Sequence, residues 1–149
     1  MDCKSELKKS GDFYQSKGKK EKGRALYEDE YAKIYQGRLE ITWFYFPTAS
    51  SKKIDTSKIK GVFYQEQKLS QDLFKVKGWG MSLTPCWWAC DATRELHSEH
   101  EGTYYNVVID NGETTYKGFS SNNIHALLAV LRPMLPPGTP VVNELPFGK

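Results

Sequence analysis

Residues 34 to 64 read IYQGRLEITWFYFPTASSKKIDTSKIKGVFY, and this stretch constrains the fold more than any other part of the chain. Leu39, Ile41, Trp43 and Tyr45 alternate with Arg38, Glu40, Thr42 and Phe44. A period of two places one set on each face of a β-sheet. Ile34 and Tyr35 end a preceding strand, and Gly37 supplies the turn between them. Phe44 and Phe46 make the end of the second strand apolar on both faces, so cover on both sides is expected there. Pro47, with no N–H to donate, should stop the ladder. TASSKK then reads as a turn, Ile54 resumes the chain, DTSK suits a tight bend, and Ile59, Val62 and Phe63 or Tyr64 follow as a third strand.

Downstream, Leu73, Phe74 and Val76 suggest a fourth strand, and Gly78 and Gly80 bracket Trp79 where a bulge is expected. A fifth strand runs around Cys86 to Asp91, and ATRELHSEHEG reads as a polar loop. TYYNVVID, Asn111-Gly112 and ETTYKGF form the clearest hairpin, with Asn-Gly suited to a type I′ turn. A single helix closes the domain. Ser120, Ser121 or Asn122 is its candidate N-cap, Ile124, Leu127, Leu128 and Leu131 form its apolar stripe, and Pro133 ends it. The expected domain spans residues 25 to 135, and a tail with four prolines between Pro136 and Pro146 makes up residues 136 to 149.

Six or seven antiparallel strands followed by one amphipathic helix is the pleckstrin-homology-like (PH-like) plan, a split β-barrel with one end capped by the helix. ITWFYFPTASSKKIDTSKIKGV, then KGWGMS, CWWACD and YNVVIDNG ahead of the helix, resembles a group of small, largely uncharacterised PH-like domain proteins. The likeness covers about residues 26 to 132 and rests on the aromatic strand end before Pro47, the Lys-Ile-x-x-x-x-Ile step and the two tryptophan clusters. It implies the fold and carries over no assigned ligand or catalytic residue.

The charge is uneven. Residues 1 to 24 hold eight basic side chains against four acidic ones, while the remaining residues hold thirteen against fourteen, so the net +3 belongs to an N-terminal arm. QSKGKKEKGR, at residues 15 to 24, has no apolar side chain to offset the entropy of ordering and reads as flexible. With no apolar run of about 18 residues and no apolar segment behind the N-terminus, neither a transmembrane segment nor a secretory signal is expected. Three cysteines fit a reducing compartment, and a cytoplasmic monomer follows as the default.

Two surfaces are candidates for binding. Arg38, Ser50, Ser51, Lys52, Lys53, Lys58 and Lys60 could hold an anionic headgroup, in the manner of PH-like domains that bind phosphoinositides on a basic inter-strand loop. Gln36, however, stands where lipid-binding members carry their leading lysine. The basic arm adds about 1 kcal/mol of attraction per lysine near an anionic leaflet. It has only Phe13 and Tyr14 for stacking on bases, so a nucleic-acid partner is not expected. Trp79, Trp87 and Trp88 are the second candidate, because an exposed tryptophan among apolar neighbours marks a protein or peptide interface.

No catalytic constellation or phosphate-cradling motif is found, so an enzyme is not expected, and no cofactor. Cys86 and Cys90 with His97 and His100 hold the atoms of a zinc site. On one regular strand, though, the two thiols would stand about 13 Å apart, which excludes both a shared metal and a disulfide between them. The reading is a non-enzymatic adaptor-type interaction domain. Peptide or protein binding ranks ahead of anionic lipid.

Overall fold

The computed structural model describes residues 23–45, 47–67, 79–81, 85–91 and 104–147. The arm up to residue 22, the strand expected around Leu73 to Val76 and the whole ATRELHSEHEG loop lie outside the described residues. Among the described residues the chain is mainly β with one C-terminal helix. The ten described strands are β1 (Tyr27–Glu28), β2 (Ala32–Tyr35), β3 (Arg38–Ile41), β4 (Lys52–Asp55), β5 (Gly61–Glu66), β6 (Gly80–Met81), β7 (Cys86–Trp88), β8 (Tyr105–Asp110), β9 (Tyr116–Ser121) and β10 (Val141–Val142), with α1 (Ile124–Leu131) after β9. They form a four-stranded sheet in the order β1-β2-β3-β4 and a six-stranded sheet in the order β10-β5-β8-β9-β7-β6. Among the described residues neither sheet closes into a barrel.

The four-stranded sheet is a meander whose inner face is apolar by alternation. Ala32, Ile34, Leu39, Ile41 and Ile54 are buried there. Its outer face is a ladder of opposite charges: Lys33 and Lys53 flank Glu40, and Tyr35 and Asp55 flank Arg38. Opposite charges directly across from one another support the pairing. Gly37 makes the β2–β3 turn at φ 77°, a conformation glycine adopts without the steric cost a Cβ imposes. At the far end of β4, Asp55 Oδ1 accepts from Ser57 N at 2.9 Å and caps a 3-10 turn over Thr56–Lys58, the bend read from DTSK.

The six-stranded sheet supplies the opposite wall. Val62, Val107, Ile109 and Phe119 face the same core as the inner face of the first sheet, and Ile124, Leu127, Leu128 and Leu131 of α1 pack into it. This is the apolar stripe read from the helix sequence. The N-cap is Asn123, one residue beyond the expected set: its side chain accepts from Ala126 N at 3.2 Å. Pro133 falls in a 3-10 turn that follows directly, over Arg132–Met134.

Three local expectations are corrected. The second strand stops at Ile41, ahead of Pro47, because Trp43 takes a left-handed backbone at φ 57° and the chain folds back so that Phe44 N and Tyr45 N both reach Ser50 O. The alternation therefore ends before Trp43, and Lys52 and Lys53 belong to β4, outside the turn. The β8–β9 hairpin holds its register, with Val107 opposite Phe119. Its last pair is Ile109 with Lys117, so the connection is wider than a two-residue turn, and only Gly112 of the Asn-Gly pair has positive φ. Not every pairing is antiparallel, since β7 runs parallel to β9 and β10 parallel to β5.

Candidate binding surfaces

The loop after β3 organises the tryptophans. Its Phe44 side chain is buried in the core, which turns the Phe44 carbonyl toward the β6–β7 ribbon. Two indole N–H groups donate to that one oxygen, Trp87 Nε1 at 2.8 Å and Trp79 Nε1 at 3.1 Å. A carbonyl has two lone pairs, so both bonds are accommodated. The Phe44 ring meets Tyr45 edge-on at 5.1 Å and Trp87 at 6.4 Å, and Met81 is the cross-strand partner of Trp87. Tyr45 and Met81 are each 40% exposed, while Trp79 and Trp87 are half-buried. The result is an aromatic patch with its ring planes fixed from below.

Trp88 is not part of that patch. Adjacent strand residues point to opposite faces, so Trp87 joins the main core while Trp88 is fully buried on the outer face of the six-stranded sheet. There it lies over Gly118. A Cβ built on Gly118 would stand 2.5 Å from Trp88 Cε3, so the ring occupies the space a side chain would need.

The seven residues of the basic set are dispersed. Arg38 lies in the outer ladder with its guanidinium 4.7 Å over the Tyr35 ring. Its Nε is 3.2 Å from Glu40 Oε1, near enough for an ion pair although the N–H is not aimed for a hydrogen bond. Lys53 stands opposite Glu40. Ser50 and Ser51 are exposed in the loop. Lys52 points inward and reaches Glu113 of the β8–β9 connection at 3.0 Å, and Glu113 also pairs with the buried Lys117 at 3.1 Å. Hydrogen bonding to Lys52 and Lys117 outweighs partial burial and brings the Glu113 carboxyl down to about 2. Burial pulls the Lys52 ammonium down, but its bonds to Glu113 and Tyr45 prevail and raise it. This triad bridges the two sheets, and sequence reasoning missed it because nothing local links residues so far apart in the chain.

Lys58 and Lys60 are the members that remain together. They line an open groove of about 670 Å³ between the Ser57–Lys60 step, the Asn111-Gly112 loop and the Pro136–Pro140 run. Gly112 keeps that wall open, since a Cβ there would stand 3.1 Å from Lys60 Cε.

A buried polar row lies on the outer face of the six-stranded sheet. Gln67 Nε2 donates to Asn106 Oδ1 and to Ser120 Oγ, both at 3.0 Å, and Ser120 Oγ donates to Asp91 Oδ2 at 2.7 Å. Burial, with the nearby carboxylates of Asp91 and Glu30, pushes the Tyr31 hydroxyl well above the ordinary tyrosine range, so it stays protonated. Among the described residues no group of three or more histidine, cysteine or acidic side chains is arranged for a metal ion. His97 and His100 lie outside those residues. Cys86 is a buried thiol outside any disulfide, whereas Cys90 is disulfide-bonded. The odd cysteine count therefore does not by itself place the chain in a reducing compartment. His125 of α1 is exposed. No helix among the described residues is long and apolar enough to cross a membrane. No family model matches this chain, and no curated protein or solved structure is significantly similar to it.

Proposed function

We propose that the chain is a non-enzymatic interaction domain that binds a peptide or protein segment on the patch of Tyr45, Trp79, Met81 and Trp87. The observation that carries this reading is the shared acceptor: Trp79 and Trp87 are both tied to Phe44 O, so two large ring faces are held in place beside two exposed apolar side chains. Rings fixed before binding lose little side-chain entropy on contact, and buried aromatic anchors carry most of the energy of peptide interfaces. The strand order, with one helix after the last hairpin, supports the PH-like plan, while the two parallel pairings depart from it. The second reading, an anionic lipid headgroup, is supported by Lys58 and Lys60 in one open groove.

The test is selection of peptides on the immobilised full chain, followed by NMR titration of the best binder. Both indole N–H signals should shift together, affinity should survive added salt, and Tyr45→Ala or Met81→Ala should weaken binding about tenfold. No enriched peptide, or binding indifferent to both substitutions, overturns the reading. Binding to phosphoinositide vesicles that disappears with salt and with Lys58→Ala/Lys60→Ala would favour the second one.

A further inference from the structure

The outer face of the six-stranded sheet is covered by the C-terminal segment of the chain itself. Cys86, Trp88 and Val108 form a buried cluster with Leu145, and Phe63, Tyr116 and Phe147 pack around it. Leu145 is 3% exposed, and the Phe147 ring lies 5.9 Å from that of Tyr116. Just upstream, Val141 and Val142 pair in parallel with Val62 and Phe63, and Val62 N–H donates to Pro140 O at 2.9 Å. Main-chain pairing at a sheet edge, with apolar side chains seated on the adjoining face, is how sheet edges hold extended peptide ligands.

Several features make this occupant exchangeable. The main core does not depend on it: the buried residues of that cluster end at Leu131, and Val141 packs only at its margin. β10 uses two of the six residues of β5, and Val142 is 38% exposed. The fit is also incomplete, with a cavity of about 300 Å³ bounded by Phe63, Val142, Leu145 and Pro146. Gln65, on the same face of β5 as Phe63, has a buried Oε1 with no hydrogen-bond partner. The arm that delivers the segment, Pro136–Pro140, turns at Gly138 with φ 79° and is braced from within, Thr139 Oγ1 donating to Pro136 O at 2.7 Å.

The geometry points to a peptide-docking groove on the edge and outer face of β5, distinct from the aromatic patch, in which Val141–Phe147 acts as a built-in competitor. The partner it fits is an extended segment of the same chemistry: two adjacent β-branched residues, then a leucine and an aromatic residue separated by one position, added in parallel to β5. Tethering gives the resident segment an effective concentration on the order of millimolar, so the partner must exceed that to enter.

The test uses a labelled peptide copying residues 140–147, titrated into the full chain and into its Leu145→Asp/Phe147→Ser variant. The variant, its own segment released, should bind at least about tenfold more tightly than the unaltered chain, with amide shifts at Val62, Phe63 and Val108. A folded variant that ignores the peptide, or shifts that map elsewhere, overturns the proposal. If the variant does not fold, hydrogen exchange on the unaltered chain decides. The Val62 amide should exchange about 100-fold faster than the paired amides of β8, and equal protection overturns the proposal.

Discussion

Trp88 lies across Gly118, its ring filling the space that any side chain at position 118 would take, with Cε3 2.5 Å from the place of a Cβ. Both residues sit in the parallel β7–β9 pairing and belong to rigid elements, so neither side can yield cheaply. Gly118→Ala should therefore destabilise the fold by about 3 kcal/mol, at the upper end of the usual cost of overpacking. Chemical denaturation checks this. Recovery of stability in Gly118→Ala/Trp88→Leu would confirm that the clash, not the backbone, is responsible.

The Phe44 carbonyl has two indole donors, and each substitutes in part for the other. Trp79→Phe or Trp87→Phe should each cost about 1 kcal/mol, with packing largely kept. The double substitution should cost more than the sum of the two, because only then does the carbonyl lose both partners. Strictly additive losses in a double-mutant cycle would contradict the shared-acceptor account.

Glu113 gives the fold an acid-sensitive clasp. Its carboxyl is lowered from 4.5 to about 2 in the folded chain, chiefly by the hydrogen bond from Lys52. A lowered carboxyl contributes stability above its unfolded value that is lost as pH falls through the folded one. The window is therefore pH 4.5 down to about 2. The side chain is half exposed, so solvent screening reduces the contribution to about 1 kcal/mol. Glu113→Gln should flatten the stability profile across that window and leave the rest of the curve unchanged in shape. An unaltered slope would show that the triad adds nothing.

The cysteines should separate chemically. In denaturant without reductant, Cys86 should alkylate and Cys90 should not. After reduction both should react, as peptide mass mapping would reveal. Alkylation of Cys90 before reduction would show its disulfide to be absent in solution.

Much of the architecture was legible in the chain because burial imposes a period. Leu39 and Ile41 on β3 and the four-residue stripe of α1 are where alternation and helical spacing put them. The end of β3 was not legible. Trp43, Phe44, Tyr45 and Phe46 are all aromatic, so the pattern has no polar contrast there, and the break comes from a left-handed backbone that tryptophan does not favour. The parallel pairings involve strands of two or three residues, too short to leave a period. The candidate site fared likewise. Trp79 and Trp87 were named from composition, but the oxygen that joins them is a backbone atom with no signature in sequence. Lys52 and Lys53 looked alike and were parted by one step of strand alternation, one turned to Glu113 and the other to the outer ladder.

The pairing of Gly61 with Asp110 also sets an order of events in time. β8 and β9 are neighbours in the chain and can meet within microseconds, whereas β5 must close a long intervening segment before its first bond with β8 repays the entropy. The β8–β9 hairpin with α1 should therefore form the folding nucleus, and the four-stranded meander should dock late through β5. Substitutions such as Val107→Ala should slow folding, while Ile54→Ala should mainly hasten unfolding. Stopped-flow chevrons would distinguish the two. A chain built this way acquires its four-stranded sheet last, and the Phe44 carbonyl that holds the tryptophans reaches them only at that final step.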